Sequence, residues 1–123
     1  MTQLIEFKNN DEETLRGLLD SAESPRGIIF VHGFERTTIE AKFKLLADKL
    51  KGKINLFRFD FSGCGLSDGS FFDFSVDKSA KELQKAIECF TQQINITDLI
   101  IVGHSVGACI VLQYLRNYYQ KEI

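Results

Sequence analysis

The chain reads as an α/β protein built on a largely parallel sheet with flanking helices. Three observations point there. Continuous apolar runs at 27–31, 54–61 and 99–102 suit strands covered on both faces. Amphipathic helical periods fill the gaps between them. The chain has 123 residues, 44% hydrophobic, with 11 Phe, so one domain or part of one can build a core.

The elements follow in order. Two short strand candidates, 4–8 and 14–20, precede a turn-like Glu23-Ser24-Pro25-Arg26-Gly27, which holds the only proline. The strand 27–31 comes next. Ile39, Phe43, Leu46 and Leu50 then step by 4, 3 and 4, the spacing of one helix face. The strand 54–61 runs into a glycine-containing loop. Val76, Ala80, Leu83, Ile87, Phe90 and Ile94 outline a second helix, with Lys, Glu and Gln between them and Ser75 or Asp73 as its cap. After the strand 99–102, Ala108, Val111, Leu112 and Leu115 suggest a third helix. Strands alternating with helices make β-α-β units.

Composition narrows the function. A formal charge of −2, with no block of like charges, gives no reason to expect nucleic acid or an anionic membrane as partner. The N-terminal Met1-Thr2-Gln3-Leu4 does not have the form of a signal peptide. No apolar stretch is long enough to span a bilayer. Cys64, Cys89 and Cys109 are odd in number and lack metal-like spacing, which favours reduced thiols and a cytoplasmic protein. No metal site is expected.

Gly103-His104-Ser105-Val106-Gly107 lies between an apolar strand and a helix-like stretch. That is the Gly-x-Ser-x-Gly pattern in the strand–turn–helix setting where it carries chemistry. A tight turn there projects Ser105 as a nucleophile. The turn crowds the positions two before and two after the serine, so Gly103 and Gly107 are needed for lack of a Cβ. The following helix aims its free N–H groups at the same place, which favours a developing oxyanion.

His32-Gly33-Phe34 ends the strand 27–31. Strand C-terminal ends gather around the site of a doubly wound sheet. A turn here can aim the Phe34 N–H at the space that the Val106 N–H faces, making an oxyanion hole. Each such donor is worth about 2.7–4 kcal/mol to a transition state. A structural role for His32, bonding nearby backbone, is favoured over a catalytic one. His104 likewise reads as structural.

The segment Asp60-Phe61-Ser62-Gly63-Cys64-Gly65-Leu66-Ser67-Asp68-Gly69 follows the middle strand. Gly63-Cys64-Gly65 lacks the third glycine of a dinucleotide fingerprint and does not follow the first strand of its unit. A structural turn held by Asp60 and the glycines is the better reading, and no organic cofactor is expected. Cys64 carries no sign of an activated thiolate.

In this order the three motifs resemble the α/β-hydrolase superfamily. The run from Arg58 to Gly69 is most similar to the cinnamoyl (feruloyl) esterase-like and the serine aminopeptidase or monoglyceride lipase-like branches. The resemblance spans nearly the whole chain. It implies acyl transfer on carboxylic esters, or on thioesters or amides. Ser105 would attack the carbonyl, and the Phe34 and Val106 N–H groups would hold the oxyanion, without metal or cofactor. Val106 stands where many relatives carry Gln or Met, a swap that a backbone donor tolerates.

In that superfamily the triad acid and then the histidine follow the serine. Here both histidines precede Ser105, and the 18 residues after it hold one acid, Glu122. The chain is therefore expected to be the N-terminal part of a single α/β-hydrolase domain, a truncated fold without the later Asp and His. The strand through Leu99 and Val102 would then be an edge, open to self-association. Two functions compete: part of a serine esterase acting on a small-molecule ester, or a non-catalytic hydrolase scaffold that serves as an interaction module.

Overall fold

The computed structural model describes residues 2–33 and 41–118. Five strands and three helices follow in the order β1 (Thr2–Lys8), β2 (Thr14–Asp20), β3 (Arg26–Val31), α1 (Ala41–Leu50), β4 (Asn55–Phe59), α2 (Val76–Gln93), β5 (Asp98–Gly103) and α3 (Val106–Tyr118). One short 3₁₀ turn, Phe71–Asp73, lies between β4 and α2.

The strands form one sheet in the order β1-β2-β4-β3-β5. β3 is parallel to both β4 and β5. β1 pairs antiparallel with β2, and β2 antiparallel with β4. The parallel part is therefore the three strands whose sequences are continuous apolar runs. The β1–β2 connection is too short for a crossover, so that pair must be a hairpin. Its turn is closed by Asn9, whose N–H donates to Glu13 O at 3.1 Å.

Strand alternation divides the core in two. Ile29 and Val31 of β3, with Phe57 and Phe59 of β4, point to one face and pack with Leu83, Ala86 and Phe90 of α2 and Ile110 of α3. Phe30 and Leu56 point to the other face and meet Phe43 and Ala47 of α1. β3 and β4 are thus covered on both sides, which is why their runs are unbroken.

β5 is covered on one face only. Leu99 and Ile101 pack against the larger core. Ile100 and Val102 remain 43% and 39% exposed, because α1 packs over β3 and β4 instead. Among the described residues, β5 is also an edge of the sheet.

The helices follow sequence logic unevenly. α2 buries Ala80, Leu83, Ala86 and Phe90 along one stripe. Its cap is Ser75, in extended conformation, whose side chain accepts from the Lys78 N–H at 3.0 Å. Such a cap contributes about 1 kcal/mol. In α1 the buried positions are Phe43 and Ala47, while Leu46 is exposed; Ile39 lies outside the described residues. In α3 the buried positions are Gly107, Ile110 and Tyr114, and Leu112 is exposed. The helix expected from Ala108, Val111, Leu112 and Leu115 is present; Val111 and Leu115 pack against the larger core, while Leu112 faces away from it. No helix among the described residues is long and apolar enough to cross a membrane.

Candidate active site

The site is built where β3 and β5 end side by side. Their parallel register places Val31 beside Gly103, so the residues after each strand leave the sheet together. The His104 N–H donates to Val31 O at 3.1 Å, extending the pairing one residue past the strand.

The chain then turns sharply. Ser105 has φ 59°, left-handed backbone that a non-glycine residue rarely adopts. Such a conformation costs on the order of 1–3 kcal/mol and persists only where its surroundings enforce it. The enforcement is visible. The Gly107 and Ala108 N–H groups donate to His104 O and Ser105 O at 2.9 and 3.0 Å, starting α3 at once. A Cβ on Gly103 would stand 2.8 Å from Gly107 O. A Cβ on Gly107 would stand 2.4 Å from Val31 O and 2.7 Å from His32 O. The corner closes only with glycine at both places, since real Cβ contacts are longer than this. Ser105 itself is exposed, and Val106 is the first residue of α3.

Gly33 lies directly beside this corner. A Cβ built on it would come 3.2 Å from Ser105 Cβ. The turn after β3 and the turn after β5 are therefore in contact. Phe34 lies outside the described residues.

His32 is 1% exposed. Its Nε2 accepts from the Phe61 N–H at 3.1 Å, and its Nδ1 faces Gly33 O at 2.8 Å. A backbone N–H can only donate and a carbonyl can only accept, so this ring is neutral with its proton on Nδ1. It ties the end of β3 to the segment after β4. The edge of the Phe61 ring packs against it.

Asp60 is fully buried. Its Oδ2 accepts from the Leu66 N–H at 2.9 Å, and its main-chain carbonyl accepts from the Ser67 hydroxyl. Its Oδ1 lies 3.9 Å from His32 Nε2. Asp60 thus folds the loop 60–69 back on itself and under His32. Gly63 supports the same loop at φ 76°, donating its N–H to Asp68 O at 2.8 Å.

His104 is exposed, and its Nδ1 lies 3.2 Å from Lys42 Nζ of α1. Among the described residues, neither histidine ring bonds the Ser105 hydroxyl. Nor do three or more His, Cys, Asp or Glu residues converge as a metal cage would require among them.

Sequence reasoning overlooked one cluster. Glu82 falls on what the period marks as a polar stretch of α2, yet it is 2% exposed. Its Oε1 accepts from the Ser62 N–H at 3.0 Å and its Oε2 from Asn9 Nδ2 at 2.8 Å. Helical spacing marks residues on the stripe, not a carboxylate that a neighbouring loop will cover.

The comparisons with known proteins bear on the fold and the family. Residues 27–123 match the model of the alpha/beta hydrolase fold family. A curated rice (Oryza sativa subsp. japonica) protein described as a probable esterase is 32% identical over 89 residues, 72% of this chain and 32% of that protein. The esterase Pf2001 of Pyrococcus furiosus superposes with a TM-score of 0.83 at 22% identity, over all of this chain and 46% of that one. Est1E from Butyrivibrio proteoclasticus, solved with ferulic acid bound, superposes with a TM-score of 0.78 at 23% identity, over 90% of this chain and 46% of that one. The chain spans about a third of the curated relative and under half of these solved structures. At these identities the solved structures speak for the fold, and the match over residues 27–123 speaks for ancestry: the chain belongs to the alpha/beta hydrolase fold family.

Proposed function

We propose that this chain is the N-terminal part of a serine hydrolase domain that cleaves small-molecule carboxylic esters, with thioesters and amides as related substrates. One observation carries the reading: Ser105 holds φ 59° at a corner pinched between Gly103 and Gly107, with Gly33 against it. Backbone strain at an exposed hydroxyl is retained where it serves chemistry. Family membership and the esterase names of relatives support the same class.

In this reading the Ser105 Oγ attacks the acyl carbon while its proton passes to a general base. The carbonyl electron pair moves onto oxygen, where the Val106 and Phe34 N–H groups stabilise it. Collapse expels the alcohol, which takes the proton from the base. Water then repeats the sequence on the acyl-serine and releases the acid. His32 cannot serve as that base, because its Nε2 is occupied by the Phe61 N–H. The base and its acid belong to later chain, following the order serine, acid, histidine. Three cysteines, an odd number, support a cytoplasmic setting.

A second reading, a non-catalytic scaffold that binds through β5, is favoured by one feature: among the described residues β5 is an edge of the sheet, with Ile100 and Val102 exposed. A fluorophosphonate probe separates the two. Labelling of the full-length protein that is lost in Ser105→Ala supports the hydrolase. A folded protein that never labels defeats it and leaves the scaffold.

A further inference from the structure

A chain of hydrogen bonds links the β1–β2 turn to the candidate nucleophile corner. It begins at Asn9, which is buried. Asn9 Oδ1 accepts from the Asp11 and Glu13 N–H groups at 3.0 and 2.9 Å. That fixes which end of the amide faces inward. Its Nδ2 then donates to Glu13 Oε1 and to Glu82 Oε2, both at 2.8 Å. All four bonding positions of the amide are used.

Glu82 passes the constraint on. Its other oxygen takes the Ser62 N–H. One residue earlier in the chain, the Phe61 N–H donates to His32 Nε2. His32 in turn bonds Gly33 O, and Gly33 sits against Ser105 Cβ. Two consecutive peptide N–H groups thus point in different directions, one toward a helix carboxylate and one toward the imidazole. Holding the Ser62 N–H aims the Phe61 N–H.

We propose that Asn9 and Glu82 form a positioning couple, which holds the Phe61–Ser62 peptide so that His32 keeps the Gly33 turn seated against the Ser105 corner. This rests on the serine hydrolase reading for its effect on reaction rate, but not for its effect on His32. Neither residue touches substrate. They act through the main chain of the loop 60–69.

The donor–acceptor polarity makes the couple testable by exchange. In Glu82→Gln, an amide replaces the carboxylate. With its oxygen on the Ser62 N–H, its NH₂ meets the Asn9 NH₂, donor against donor. In Asn9→Asp, an oxygen meets the Glu82 oxygen, acceptor against acceptor. The double variant Asn9→Asp/Glu82→Gln restores one donor facing one acceptor between positions 9 and 82 and keeps their net charge. All variants are compared in a Glu13→Ala background, because the new carboxylate of Asn9→Asp would otherwise meet the Glu13 carboxylate that Asn9 Nδ2 also bonds.

Two readouts on the full-length protein decide it. The ¹⁵N signals of the His32 ring report whether Nε2 still accepts. The rate of fluorophosphonate labelling reports the corner. Each single variant should disturb the His32 signals and slow labelling roughly tenfold, since small misplacements at a nucleophile are costly. The double variant should recover both, to within about threefold in rate, as interacting pairs do in such cycles. Single variants with unchanged His32 signals overturn the proposal, and so does a double variant as disturbed as either single one. A wild-type protein that fails to label removes the hydrolase reading, while the His32 signals still decide the couple.

Discussion

The Phe61 main-chain N–H ends on the Nε2 of His32, 3.1 Å away, and this joins the loop after β4 to the turn after β3. The bond runs between two buried groups, so water cannot replace it. His32→Ala should leave the N–H without an acceptor and lower stability by about 1–3 kcal/mol. Chemical denaturation measures the loss. Hydrogen exchange at Phe61 should accelerate with it, and an unchanged Phe61 exchange rate would refute the bond.

The corner at Ser105 makes a sharper demand. Gly107→Ala places a methyl group 2.4 Å from Val31 O, where only backbone movement can relieve it. The expected cost is about 3 kcal/mol or more. Gly52 is the control, because a Cβ there meets nothing within 4 Å and only its φ of 78° opposes substitution. Gly52→Ala should cost about 1–2 kcal/mol. Equal losses for the two variants in urea melts would contradict the packing described.

Aromatic residues should divide by burial rather than by type. Phe90 stacks on Phe57 inside the larger core, with ring centroids 5.5 Å apart. Phe90→Ala should cost about 3–5 kcal/mol. Phe72 is 98% exposed, and Phe72→Ala should change stability by under about 0.5 kcal/mol. Thermal melts of the two variants make the comparison.

The Glu13 carboxylate is held below the ordinary value, first by the Asn9 amide and then by Lys78. A lowered value in the folded state means that the ionised form is the one stabilised. That contribution is present at neutral pH and disappears as pH falls through the folded value. Glu13→Gln should therefore be less stable than wild type near neutrality, and the gap should narrow on acidification. Denaturation from about pH 7 down to about pH 3 tests the sign. A gap that widens in acid would show the opposite coupling.

Among the described residues, no strand pairs with the outer side of β5, beside exposed Ile100 and Val102. For residues 1–123 expressed alone, self-association through this edge should rise with concentration and weaken in Ile100→Lys, which places a charge on the exposed face. Sedimentation velocity over a concentration series follows both. Identical association in the variant would move the contact elsewhere.

Much of this was legible in the linear chain. The period of α2 shows in Ala80, Leu83 and Phe90, because a helix against a sheet must repeat its apolar residues on one stripe. The unbroken runs through Ile29 and Phe57 betray strands with helices on both sides. Gly103, Ser105 and Gly107 mark their corner by spacing alone, since a crowded turn excludes side chains at fixed offsets.

Other features depended on contacts between distant segments. The burial of Glu82 needed the hairpin at Asn9 and the loop at Ser62 to converge on α2, residues far apart in the chain. The exposure of Leu112 followed from which side of α3 meets the larger core, and that of Ile100 and Val102 from how far α1 reaches across the sheet. Periodicity is a local property and reports which side of an element is apolar. Which apolar side is covered, and which charge is swallowed, depends on neighbours that only the folded chain brings together.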